Sequence, residues 1–156
     1  MSVLLSEYSS SEAQARVVAA IVAGQLAQAL HEAASASLAV PGGETPRRFL
    51  SILGGAGIDW ANVTVMPTDE RLVEADSNRS NARMLSETLF AGEAGDARFL
   101  SFLSGADPPA DPHKALSRAI RACLPLDVCV LGMGVDKHVA SLFPGGDRLD
   151  VALAPR

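Results

Sequence analysis

The stretch of this chain richest in reactive side chains runs Gly132-Met133-Gly134-Val135-Asp136-Lys137-His138-Val139-Ala140-Ser141-Leu142-Phe143-Pro144-Gly145. His138 follows a glycine-rich turn and has Asp136 two residues before it. An imidazole is the side chain best suited to moving a proton near neutral pH, and a carboxylate beside it fixes its tautomer and raises its basicity. One reading makes His138 a general base oriented by Asp136. The other makes it a capping or packed histidine, and the segment alone leaves both open.

Two further segments carry polar chemistry. Thr68-Asp69-Glu70-Arg71 sets a carboxylate pair beside an arginine. Carboxylates can orient hydroxyl groups and a guanidinium offers a planar fork to an anion, although the same triplet also occurs as a solvated surface ion pair. Arg79-Ser80-Asn81, further on, has the residue types of a helix cap. Pro41-Gly42-Gly43-Glu44-Thr45-Pro46 is a strand-to-helix turn by composition. Its glycines would let backbone N–H groups approach an anion at a helix N-terminus, or would merely make the turn. Thr45 is the expected N-cap and Pro46 the expected first helical residue. The segment matches neither the Walker A pattern nor Gly-x-Gly-x-x-Gly, so nucleotide binding has no support.

These segments need elements to hold them. Val17, Val18, Ile21, Val22, Leu26 and Leu30 recur at helical spacing and predict a long amphipathic helix over 12–34. Ser-Leu-Ala-Val at 37–40 reads as a buried strand running into the Pro-Gly-Gly turn. A helix through Phe49, Leu50 and Leu53 should stop at Gly54-Gly55, and a strand is expected over 63–66 with a polar loop to residue 78. Further expectations are a helix over 80–90, a strand over 98–103, a loop over 108–113, a helix over 114–123 and a strand over 127–131. Strands alternating with helices predict β–α–β units and a parallel sheet with helices on both faces. In such sheets ligands collect beyond the carboxyl ends of the strands, where the loops after residues 40, 66 and 131 fall.

Bulk properties narrow the partners. The 156 residues suit one domain, and 48% hydrophobic with 20% charged residues is an ordinary globular composition. A net charge of -5 argues against a general nucleic-acid binder, which needs a basic face, but leaves room for a small phosphate held by a few converging groups. Cys123 and Cys129, with five residues between them, form neither a redox pair nor half a zinc site and are expected to be buried free thiols of a reducing compartment. His31, His113 and His138 are too scattered to suggest a metal cluster. The first residues lack a basic region and long apolar core, and 17–30 is interrupted by Gly24, Gln25 and Gln28, so neither a secretion signal nor a membrane span is expected.

Together the three segments resemble the 6-phosphogluconolactonase family, part of a larger group of sugar-phosphate isomerase-like folds that includes glucosamine-6-phosphate deaminase. Family members carry Ser/Pro-Gly-Gly-x-Thr-Pro, then Asp-Glu-Arg leading to Ser-Asn, then Gly-x-Asp-Gly-His-x-Ala-Ser-Leu-Phe-Pro-Gly. This chain has Pro41-Gly42-Gly43-Glu44-Thr45-Pro46, Asp69-Glu70-Arg71 with Ser80-Asn81, and Gly134 to Gly145, in the same order and spacing. The agreement begins near residue 10 and runs to the end. Deaminases typically continue with Ala-Phe-Asn-Glu-Pro after the histidine, whereas this chain continues with Ala140-Ser141-Leu142-Phe143-Pro144-Gly145.

The resemblance implies an α/β fold: a parallel-sheet, Rossmann-like three-layer sandwich of the sugar-phosphate isomerase type, incomplete at its C-terminus. Residues 1–156 would form a single lactonase-like domain, the N-terminal portion of a longer one. The implied activity is hydrolysis of 6-phospho-D-glucono-1,5-lactone to 6-phospho-D-gluconate in the pentose phosphate pathway, by a cytoplasmic enzyme. His138 and Asp136 would be catalytic, and Gly42, Gly43, Thr45, Asp69 and Arg71 would bind substrate. No cofactor or metal is expected; the partner is a phosphorylated sugar lactone, with no nucleic acid and no membrane, and the oligomeric state stays open. A deaminase-like enzyme and a non-catalytic sugar-phosphate binder are the alternatives. Three features depart from the family: Lys137 stands where it has glycine, Glu44 where it has Ser or Thr, and members continue past residue 156.

Overall fold

The computed structural model describes residues 3–103 and 110–154. In chain order the regular elements are α1 (Ser11–Ala33), β1 (Ala36–Val40), α2 (Arg47–Gly54), β2 (Val63–Pro67), α3 (Asn81–Glu87), β3 (Arg98–Phe99), α4 (Pro112–Arg121), β4 (Val128–Cys129) and α5 (Leu149–Leu153). Short 3-10 turns at Trp60–Asn62, Leu89–Ala91 and Glu93–Asp96 join them. The four strands form one parallel sheet in the order β3-β2-β1-β4, flanked by helices, as the alternation predicts.

Sheet order explains the strand sequences. β1 is central, pairing along its length with β2 (Ala36↔Val63 to Val40↔Pro67) and on its other side with β4 (Leu38↔Val128), and all five of its residues are buried. A run of Ala-Ser-Leu-Ala-Val has no alternation because no face of it meets water. Its one polar residue, Ser37, is satisfied by Asp127, whose Oδ2 accepts from the Ser37 N–H (2.7 Å) and Oγ–H (2.8 Å) while the Asp127 N–H donates back to Ser37 Oγ at 3.0 Å. That clamp sets the register of β4 against β1.

α1 starts where Ser10 accepts from the Ala13 N–H and ends where Ala34 turns left-handed at φ 57. By length and composition it is apolar enough to cross a bilayer. Here Ala15, Ala19, Val22 and Leu26 are buried in the core shared with Leu38, Val40, Leu50 and Leu53. Full burial of a valine or leucine side chain contributes about 1.5–3 kcal/mol, and an alanine methyl less, so the apolar face has a core to serve. Glu12 ties α1 to α2 through Arg48 (2.7 Å), and that guanidinium holds the Glu12 carboxyl down at about 2.

Several boundaries differ from expectation, for local reasons. Thr45 is not the cap of α2. The chain already turns at 44–47, with the Arg47 N–H donating to the Glu44 carbonyl (3.2 Å), and Pro46 occupies the cap position without a side-chain hydrogen bond. α3 stops at Glu87 because Thr88 leaves helical geometry, its Oγ1 donating back to the Met84 carbonyl at 2.7 Å. β3 keeps two residues of the strand expected over 98–103, and 104–109 lie outside the described residues. α4 begins two residues before the expected start, where Asp111 accepts from the Lys114 N–H and Pro112 takes the first turn, so His113 belongs to the helix and not to a loop. β4 is likewise only two residues long. It lies at one edge of the sheet, which leaves Cys129 exposed, and Cys123, just after α4, is half-buried; neither thiol is buried as expected.

Candidate active site

The sheet reverses direction of growth at β1: β2 and β3 lie to one side and β4 to the other. Loops leaving β1 and β4 therefore diverge and open a crevice at the carboxyl ends, the usual ligand position in such sheets. A cleft of about 330 Å³ sits there, lined by residues of all three polar segments: 41–46, Thr68, Asp69 and Arg71, and Gly132 to Gly134 with His138 and Ala140.

His138 stands at the β4 side. Its Nδ1 lies 2.5 Å from Asp136 Oδ1, and its ring stacks on Phe143 with centroids 4.6 Å apart. Because an ionised carboxylate only accepts, Nδ1 carries the proton and Nε2 is left as the acceptor. The His138 hydrogen bond holds the Asp136 carboxyl below its usual range, so Asp136 remains ionised as the orienting group. Nε2 has no protein partner among the described residues. Gly134 underlies the pair: a Cβ there would fall 2.3 Å from His138 Nδ1 and Cε1 and 2.6 Å from Asp136 Oδ1. The turn closes through Gly134 N–H to the His138 carbonyl and Lys137 N–H to the Gly134 carbonyl, both 2.9 Å. Lys137 adopts φ 68, the left-handed region that glycine fills without strain, and its side chain points to solvent and does not line the cleft.

The second segment separates into distinct roles. Glu70 does not join Asp69 in a carboxylate pair facing a ligand. Its oxygens accept from the N–H groups of Asn81 and Ala82 (2.8 Å each) and from Ser80 Oγ, capping α3 together with Ser80, which accepts from the Arg83 N–H. An unpaired helix N-terminus attracts the nearest carboxylate, and Glu70 is within reach. Asp69 stays at the cleft, where Oδ2 accepts from Ser141 Oγ at 3.0 Å and so joins the second and third segments. Arg71 donates from Nη1 to the Arg79 carbonyl and to Asn81 Oδ1, both 2.9 Å. It makes no ion pair among the described residues, so it is an uncompensated cation on the cleft wall.

On the β1 side, Gly43 adopts φ 99, and the backbone N–H groups of Gly42, Gly43, Glu44 and Thr45 have no acceptor among the described residues. Gly42 packs on Asn81: a Cβ there would lie 1.9 Å from Asn81 Oδ1. Glu44 turns outward to Arg47 (2.9 Å) with 90% of its side chain exposed, which draws its charge off the turn. Thr45, released from capping, is exposed on the cleft, and the Thr68 hydroxyl, also on the cleft wall, is buried without a partner among the described residues.

The crevice thus gathers Gly42, Gly43, Thr45, Asp69, Arg71 and His138, whereas Asp136 stands behind His138 and neither Glu70 nor Lys137 lines it. It holds a proton acceptor, a free cation, a carboxylate and a row of unpaired N–H donors, an arrangement suited to water-mediated attack on an anionic carbonyl compound. Among the described residues no group of three His, Cys, Asp or Glu side chains is placed to hold a metal ion. Sequence reasoning underrated Asn81, read only as part of a cap, and gave no role to Ser141 or Phe143. The available signal was that all three fall in the segments that carry the family resemblance, Ser80-Asn81 and Gly134 to Gly145.

Residues 9–154 match the model of the family described as glucosamine-6-phosphate isomerases/6-phosphogluconolactonase. The chain is 41% identical over 157 aligned residues to the 6-phosphogluconolactonase of Rhizobium meliloti (strain 1021), covering 99% of this chain and 67% of that one. It is 40% identical to that of Pseudomonas aeruginosa, covering 97% and 64%. The crystal structure of a 6-phosphogluconolactonase from Shewanella baltica OS155 superposes with a TM-score of 0.87 at 33% identity, over 96% of this chain and 64% of that one. The chain therefore spans about two thirds of the length of these relatives.

Proposed function

The chain belongs to the glucosamine-6-phosphate isomerase/6-phosphogluconolactonase family, and on that premise we propose that it hydrolyses 6-phospho-D-glucono-1,5-lactone to 6-phospho-D-gluconate, a step of the pentose phosphate pathway. The observation that carries this reading is the Asp136–His138 pair, held at 2.5 Å with His138 on the wall of a cleft that also presents Arg71. Nε2 takes a proton from water as the water oxygen bonds to the lactone carbonyl carbon. The developing oxyanion, or the phosphate, meets the unpaired N–H groups of Gly42 and Gly43 with Thr45. Collapse breaks the bond to the ring oxygen, which recovers the proton from His138. Asp136 holds the imidazole in the required tautomer, Asp69 accepts from a sugar hydroxyl, and Arg71 pairs with the phosphate. Ester hydrolysis by a general base calls for no redox cofactor, and a cytoplasmic location goes with a soluble phosphorylated substrate.

His138→Ala and His138→Gln test the assignment. Each should lower lactone turnover by about 10² to 10⁴, the usual contribution of a general base, with the fold retained. Turnover near that of the parent, after subtraction of spontaneous lactone hydrolysis, would refute it. A second reading, a sugar-phosphate binder without catalysis, draws on the left-handed backbone at Lys137 beside the base. It predicts saturable binding of 6-phosphogluconate with no turnover.

A further inference from the structure

We propose that Asn81 is a positioning residue whose neutral side-chain amide holds Arg71 for the anionic end of the substrate while leaving its charge uncompensated. The inference rests on the lactonase reading in taking a phosphate as that anion. Asn81 is only 1% exposed, at the first position of α3, beneath Gly42. Its Nδ2 donates to the Asp69 carbonyl at 2.8 Å and more distantly to Asp69 Oδ1 at 3.5 Å, and its Oδ1 accepts from Arg71 Nη1 at 2.9 Å. Only one orientation of the amide satisfies both neighbours, because a carbonyl oxygen must be met by N–H and a guanidinium by oxygen.

The consequence for Arg71 follows from counting its donors. The two Nη1 hydrogens go to the Arg79 carbonyl and the Asn81 amide oxygen, both neutral. Nε and Nη2, the edge that binds an oxyanion in two-point fashion, have no protein acceptor among the described residues. A carboxylate at position 81 would grip the guanidinium more strongly, yet it would cancel the charge offered to the ligand and oppose the Asp69 carbonyl. Asparagine is the residue of that shape that positions without neutralising. Its contact with Gly42 extends the same amide to the first loop, so one buried side chain sets the spacing between the cation and the row of N–H donors.

The test compares Asn81→Asp with Asn81→Ser in the full chain, with circular dichroism confirming the fold. Inorganic phosphate is titrated while the Arg71 side-chain Nε–H resonance is followed. Kinetics are read with 6-phosphoglucono-1,5-lactone and with unphosphorylated glucono-1,5-lactone. Phosphate should shift the Arg71 resonance in the parent and bind at least about tenfold more weakly to Asn81→Asp, since a new negative charge lies against the guanidinium. Asn81→Asp should also be worse than Asn81→Ser despite its closer shape, and its loss should fall on KM for the phosphorylated lactone more than on the unphosphorylated one. A merely structural role gives the opposite order, because aspartate fills the site and serine leaves a gap. If Asn81→Ser does not fold, the parent and Asn81→Asp titrations decide alone. Equal phosphate affinity in those two, or an Arg71 resonance indifferent to phosphate in the parent, overturns the proposal. Phosphate binding that Asn81→Asp abolishes, in a chain that hydrolyses neither lactone, supports the role of Asn81 and instead retires the lactonase reading.

Discussion

Replacing Gly134 by alanine should disable the Asp136–His138 pair while sparing the fold. The added Cβ would stand 2.3 Å from His138 Nδ1 and Cε1 and 2.6 Å from Asp136 Oδ1. Ordinary contact between such atoms is about 3.5 Å or more, so the imidazole must retreat by roughly 1.2 Å. Displacement of a catalytic group by about 1 Å can cost on the order of 10² in rate, and the carboxylate that fixes the tautomer is pushed away as well. A fall of about 10² in kcat/KM is expected. Stability should change little. Gly134 is not among the residues with positive φ, so alanine fits the backbone, and the His138 side chain is already 34% exposed and can swing toward solvent. The loss is then about one hydrogen bond and one ring contact, on the order of 1 kcal/mol. Acid release from the lactone, measured at constant pH with the spontaneous rate subtracted, gives the kinetics, and a thermal melt gives the stability. A folded variant within twofold of the parent kcat/KM would show that the ring's position is not what the reaction depends on.

Two further outcomes follow from backbone strain and from charge. Lys137→Gly should raise stability by up to about 1 kcal/mol, because φ 68 is costly for lysine and free for glycine, and should raise kcat/KM by relaxing the turn that carries His138. A fall in kcat/KM confined to the phosphorylated lactone would instead make Lys137 a phosphate ligand. The Glu12 carboxyl is lowered from 4.5 to about 2, chiefly by its hydrogen bond to Arg48, so its contribution to stability is complete above about pH 4.5 and is lost as pH falls toward 2. Melting temperatures of the parent and Arg48→Met should therefore converge across that window, and a difference independent of pH would count against the tie between α1 and α2.

What the sequence determined by itself is what near neighbours in the chain decide. The buried character of β1, the stop of α2 at Gly54-Gly55, the Ser80 cap and the Asp136–His138 pair each depend on residues a few positions apart, and all are found where the pattern put them. The alternation of strands and helices likewise carried the parallel sheet and the end of it at which the cleft opens. Tertiary structure decided which of several competent partners each polar group took. Glu70 could have faced a ligand, but the N-terminus of α3 folds back against it. Thr45 could have capped α2, but the 44–47 turn places it inside the turn and leaves Pro46 at the cap position. Ser141 meets Asp69 across 72 residues of chain, which needs β2 and β4 aligned on either side of β1, and Asn81 reaches Asp69, Arg71 and Gly42 at once, which needs β2 beside β1. Edge position set the rest: among the described residues β3 and β4 are short and Cys129 is exposed where each outer strand has a neighbour on one side, and composition does not say which strands will be outermost. Hydrogen bonds between distant segments are chosen by geometry that the sheet imposes after the local elements have formed, and that geometry is what made three separate polar loops into one site.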